Sequence, residues 1–174
     1  MRLRAIALLF ASTLGGALPC AWADDSCAGY KWNVEHERAL FAHGGRSLAA
    51  GVDASSAPGI QLDQLFEIAL LPESDVHYAL PPSKRPKHGG TYAGLVRVQL
   101  AAPALYRVSL DQADWIEVIV DHASLKSADF AGQHACSAPR KIVAFNLPSG
   151  EVLLQLSSAA TPHVRVTVTR AAPP

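Results

Sequence analysis

Residues 90–120 carry the pattern that most restricts what this chain can become. Val96, Val98 and Leu100 recur at every second position. Tyr106, Val108 and Leu110 repeat the spacing, and Ile116, Val118 and Val120 repeat it again, opposite Trp115, Glu117 and Ile119. A strand sends successive side chains to opposite faces, so a period of two over this length predicts strands with one buried face. Ala101-Ala102-Pro103 and Asp111-Gln112-Ala113-Asp114 interrupt the alternation. Both breaks are short, which predicts tight turns between antiparallel neighbours.

The flanking chain extends the pattern. Residues 65–71 read as a strand that Pro72 closes, and 75–80 (DVHYAL) as another with Val76 and Tyr78 on one face. A short edge piece is expected at 124–126. Residues 141–147 and 152–156 are expected to pair across Pro148-Ser149-Gly150, and Val164, Val166 and Val168 make a last strand. Near the N-terminus, Val34, Arg38 and Phe41 fall at helical spacing, with Asn33 able to cap and Gly44-Gly45 able to stop a helix. An extended segment anchored by Trp32 and Val34 fits the same residues. Segments 46–59, 81–90 and 127–139 read as connections rich in turn residues. Many short strands and few helices predict an antiparallel β-sandwich, jelly-roll-like, of about eight strands with one short N-terminal helix.

The first residues stand outside that fold. Arg2 and Arg4 precede an apolar run at 6–18, and Ala21-Trp22-Ala23 has the small-x-small form of a cleavage site. This predicts a signal peptide over 1–23 and a single domain over 24–174, located in the periplasm or secreted, with no transmembrane segment after cleavage. Lipid attachment at Cys20 is the rival, and Pro19 directly before it makes a poor lipidation site. Cleavage leaves Cys27 and Cys136, an even pair in an oxidising compartment, which points to a disulfide. Two separately used thiols are the alternative. The formal net charge is +0 over 174 residues, which argues against nucleic acid as a partner.

A set of motifs brings a resemblance. Gly90-x-Tyr92-x-Gly94-Leu95, Tyr106-Arg107-Val108, Trp115-Ile116-Glu117-Val118, Cys136, Arg140-Lys141 and Leu154-Gln155-Leu156, with Trp32 near an N-terminal cysteine, resemble a set of small exported proteins of Gram-negative bacteria. The resemblance covers most of the chain after the leader and brings no assigned activity. Some of those proteins bear the label homogentisate 1,2-dioxygenase, a chemistry that uses non-haem iron held by two histidines and a carboxylate. The seven histidines here show no matching triad. The C-terminal half is also similar to pre-peptidase C-terminal-type β-sandwich modules, which accompany secreted enzymes. That likeness lies in the run of strands and implies a fold, not an activity.

Few residues suggest chemistry. Trp115 and Glu117 share one strand face. If that face is open, an aromatic ring beside a carboxylate can stack on and hydrogen-bond a sugar or small polar ligand. If it is buried, Glu117 needs a partner, with Arg140 or Lys141 as candidates. The loop holding Lys84, Arg85, Lys87 and His88 can meet an anionic surface or a partner protein, or serve only solubility. His122, His134 and Cys136 are the nearest approach to a copper or zinc site, but no HxH or HExxH spacing accompanies them. There is no GxSxG elbow for a serine nucleophile. Asp111 and Asp114 sit in a turn, where aspartate commonly bonds the backbone. The leading expectation is a non-enzymatic periplasmic binding or accessory protein. It would use Trp115, Glu117, Arg140 and Lys141 to contact a small ligand or an envelope protein partner, without a cofactor. A copper- or zinc-binding protein comes second and an enzyme of unknown class third.

Overall fold

The computed structural model describes residues 27, 29–84 and 89–171. The expected leader, and Arg85, Lys87 and His88 of the basic loop, lie outside the described residues.

In chain order the elements are a helix α1 (Glu35–Phe41) and strands β1 (Arg46–Ala49), β2 (Gly59–Ile60), β3 (Phe66–Ala69) and β4 (Leu71–Pro72). A 3-10 turn follows at Glu73–Asp75. Then come β5 (Tyr92–Leu100), β6 (Ala104–Leu110), β7 (Trp115–Val120), β8 (Ala123–Leu125), β9 (Asp129–Gly132), β10 (Lys141–Leu147), β11 (Gly150–Ala159) and β12 (His163–Arg170). They form two six-stranded sheets. The first runs β1-β3-β12-β6-β10-β9. The second runs β2-β5-β11-β7-β8, with β4 also paired to β5. Pairs β1–β3 and β2–β5 are parallel and every other strand pair is antiparallel, so both sheets are mixed. The sheets share one apolar core. Phe66, Ile68, Tyr106, Val108, Phe145 and Val166 come from the first, and Val96, Val98, Val118, Val152, Leu154 and Leu156 from the second.

The alternation located β5, β6, β7, β10 and β12 correctly, but their connections differ from the expected hairpins. β5 lies in the second sheet, β6 in the first and β7 in the second again. β10, β11 and β12 likewise alternate between sheets, so 141–147 and 152–156 are not partners. The short turns are therefore arches across the sandwich. Tyr106 pins the first arch by donating its hydroxyl to the Ala102 carbonyl at 2.8 Å. Asp111 pins the second by accepting the Arg165 amide at 2.9 Å. Period two specifies which side chains face inward, and a hairpin and an arch satisfy it equally.

Short strands make up the rest of the difference. Segment 46–59 holds β1, and 127–139 holds β9. Each lies at an edge where a single neighbour supplies all its ladder bonds. The expected strand at 65–71 divides at Leu70, and the chain passes from the first sheet to the second there. The expected strand at 75–80 is instead a 3-10 turn and an irregular run lying on the second sheet. Val76 and Tyr78 do share a face, packed with Ala93 and Leu95.

Both outer faces are covered, which is why β7 and β10 each bury four consecutive residues. On the first sheet the cover is Cys27, residues 29–34 and α1. Cys27 is bonded to Cys136, and around that bridge gather Tyr30, Val34 and Ile142. Glu37 of α1 is buried, pairs with Arg107 at 3.3 Å and accepts the Thr169 hydroxyl at 2.9 Å. Asn33 accepts the Glu35 amide at 2.8 Å and so serves the helix start. On the second sheet the cover is made by residues 50–58 and 73–84. Its approach is close at Gly94, where a Cβ would stand 2.3 Å from the Ala50 Cβ. No helix among the described residues is long and apolar enough to cross a membrane.

Candidate functional site: a cleft at one edge of the sandwich

The two sheets close less completely at the β8 and β9 edge. β8 pairs only with Val118–Val120 of β7, leaving Trp115–Glu117 without a strand neighbour on that side. β9 pairs only with Lys141–Ala144 of β10. Between these edges lies a cavity of about 470 Å3. Its floor is the end of the apolar core: Ile116, Leu125, Val143 and Phe145. Its rim carries Trp115, Phe130, Ser83, Lys126 and Lys141. An apolar concavity of this size with a few polar groups at its mouth has the character of a small-molecule site.

Trp115 is held in place from three directions. Its indole Nε1 donates to Ser83 Oγ at 3.2 Å. The Lys84 ammonium lies 4.9 Å from its ring centroid and that of Lys141 5.1 Å. Both are within the range in which an aromatic face attracts a cation. Lys141 shares the inward phase of Val143 and Phe145, but at the start of β10 its ammonium reaches the Asp114 carbonyl at 2.5 Å. Burial lowers its pKa and the Lys84 charge lowers it further, while Asp114 opposes both.

Glu117 is buried, as one of the two sequence readings required, but its partners are neither Arg140 nor Lys141. One carboxylate oxygen accepts the Ser83 amide at 2.7 Å, and the other accepts Gln155 Nε2 at 2.8 Å. Gln155, fully buried, also accepts the Ala79 amide at 3.1 Å and donates to the Leu80 carbonyl at 3.0 Å. The pair is a latch that fastens residues 79–83 across β7 and β11. Glu117 thus lines the cleft with both oxygens already occupied.

Asp114 adds a group that turn chemistry did not anticipate. It is 2% exposed, and its Oδ2 has no hydrogen-bond partner among the described residues. Burial above all, with the Asp111 charge beside it, raises its pKa from 3.8 to about 7, against the pull of Lys141.

Trp115, Glu117 and Lys141 therefore meet at one site. Arg140 does not join them: its side chain is exposed, and its backbone is occupied with Leu110 and Gln133. Of the basic loop, Lys84 reaches Trp115. His122 sits exposed in the β7–β8 turn at φ 61, and His134 is exposed before Cys136. The disulfide occupies the Cys136 sulfur. Among the described residues no three His, Cys, Asp or Glu side chains gather as metal ligands. The sequence reading did not place Phe130, Ser83 or Gln155 at the site. Gln155 left one signal in the sequence, a polar residue in the middle of an apolar run (Leu153-Leu154-Gln155-Leu156).

The chain matches no protein-family model. It matches no curated protein either. Fold and site together define a class: a disulfide-bonded, two-sheet β protein with a preformed cleft at one sheet edge.

Proposed function

We propose that the protein is a non-enzymatic exported protein, periplasmic or secreted, that binds a small ligand in the cleft at Trp115. One observation carries the reading. Trp115, Phe130, Ser83, Lys126 and Lys141 converge on an apolar cavity of about 470 Å3, and the Glu117–Gln155 latch fastens one wall of it. A preformed apolar site loses little on ordering when a ligand enters. The leader pattern and the Cys27–Cys136 bridge support export. The resemblance to small exported proteins agrees with that location.

The test is a thermal-shift screen of metabolites and glycans against the disulfide-bonded protein, repeated with Trp115→Ala. At least one compound class should raise the melting temperature of the parent, and the variant should fold yet lose that shift. A folded variant that keeps every shift would remove the cleft from consideration. A second reading, an envelope protein as partner, has one specific observation in its favour. Phe130 is 70% exposed on the edge strand β9, far more than other large apolar side chains among the described residues. An apolar group so placed is a natural contact for another protein.

A further inference from the structure

We infer that the cleft selects small amphipathic anions: a ligand with one carboxylate, sulfonate or phosphate group on a compact apolar body. This rests on the binding reading and adds the chemistry of the ligand.

The charges at the cleft are unbalanced. Lys84, Lys126 and Lys141 stand at or beside its rim, and no carboxylate among the described residues lies within ion-pair distance of any of them. The one carboxylate in the lining, Glu117, has both oxygens bonded to Ser83 and Gln155. Asp114, next in chain to Trp115, acts on Lys141 at longer range, but it hydrogen-bonds it only through its backbone carbonyl and does not line the cavity. Two like charges, Lys84 and Lys141, converge within about 5 Å of one indole ring. The Lys84 charge disfavours the charged form of Lys141, and an anion bound at this rim would offset that repulsion and gain charge-assisted hydrogen bonds. Below them Ile116, Leu125, Val143 and Phe145 make most of the surface apolar, with Ser124 and Ser127 also in the lining, so it favours an apolar body. Trp115 and Phe130 at the mouth can cover the sides of such a body. A neutral sugar would leave several of its hydroxyls facing Ile116, Leu125, Val143 and Phe145 unpaired.

Three probes of one shape separate the possibilities: 2-naphthoate, its neutral counterpart 2-naphthamide, and the cation 2-naphthylmethylammonium. Binding is read by calorimetry and by Trp fluorescence of the intact, disulfide-bonded protein. The expected order is acid over amide by about tenfold, with the cation weakest. The preference should shrink with added salt. Lys84→Met and Lys141→Met keep the apolar stems, and the double variant should bind acid and amide alike. Lys84 is exposed, so its single variant reports even if the Lys141 change disturbs folding. Equal binding of acid and amide to the parent would overturn the anion assignment and leave the cleft standing. So would a double variant that folds and still prefers the acid. Absence of saturable acid binding also overturns it. If, in addition, the amide and the broad screen give no shift, the binding reading falls too.

Discussion

Glu117 shows how one buried side chain can organise a surface. It meets neutral donors rather than a cation: the Ser83 amide, from a segment with no strand partner of its own, and the Gln155 side chain on β11. Removing the carboxylate would orphan the Ser83 amide and the Gln155 side chain, so Glu117→Ala should cost about 2–4 kcal/mol in urea unfolding. Amide exchange at Ala79 and Ser83 should accelerate more than in β5 or β11. Glu117→Gln, which keeps an acceptor, should be milder. Uniform acceleration would mean the latch is not local. Asp114 governs a pH effect. Its carboxyl titrates near 3.8 when unfolded and about 7 when folded. Between those values the folded state holds more protons than the unfolded state, so stability falls as pH rises from about 4 to 7 and levels above. Asp114→Asn should be more stable than the parent at pH 8, by at most about 4 kcal/mol, with the difference closing by pH 4. A difference independent of pH would assign the buried charge elsewhere. Neither residue's role could be read from spacing. The alternation put Glu117 beside Trp115, but its partners lie 34 and 38 positions away in sequence.

At the scale of elements, long strands and short ones behaved differently. β5, β6, β7, β10 and β12 follow from alternation because each has enough residues to show a period. β1, β2, β8 and β9 have two to four residues each, and pairing rather than composition makes them strands. The N-terminal strap depends on a few ties. The Cys27–Cys136 bridge links positions 109 apart, Tyr30 donates to the Pro139 carbonyl at 2.8 Å, and Gln133 donates to the Gly29 carbonyl at 2.6 Å. Burial pushes the Tyr30 phenol up to about 12, so that bond keeps its proton across the neutral range. Reduction, or Cys27→Ser with Cys136→Ser, should lower stability by about 2–5 kcal/mol. The exchange that quickens first should be at 29–34 and in α1. Native protein cut after residue 23 should offer no thiol to an alkylating reagent. Two reactive thiols would overturn the bridge.

Among the described residues both sheets share the largest apolar core, with a cover on each outer face. Strands that alternate between sheets leave no part able to keep its core alone, so unfolding should be cooperative. Trp32 reports on the cover of the first sheet and Trp115 on the edge of the second. Protein lacking the leader, carrying either Trp32→Phe or Trp115→Phe, should show coincident structural transitions in urea once corrected for each variant's own stability by circular dichroism. A fluorescence midpoint separate from the dichroism midpoint would mean that the cover or the edge unfolds by itself. By itself the sequence determined the β character, the inward phase of the long strands, the cysteine pair and the shared face of Trp115 and Glu117. Each of these follows from local periodicity or from a count of residues. Only the tertiary structure decided which sheet each strand joins, that turns are arches, and that both faces are covered. It also brought Ser83, Phe130 and Lys141 around one cleft. Those outcomes rest on contacts between distant segments, and a two-residue period carries no information about which distant segment lies opposite.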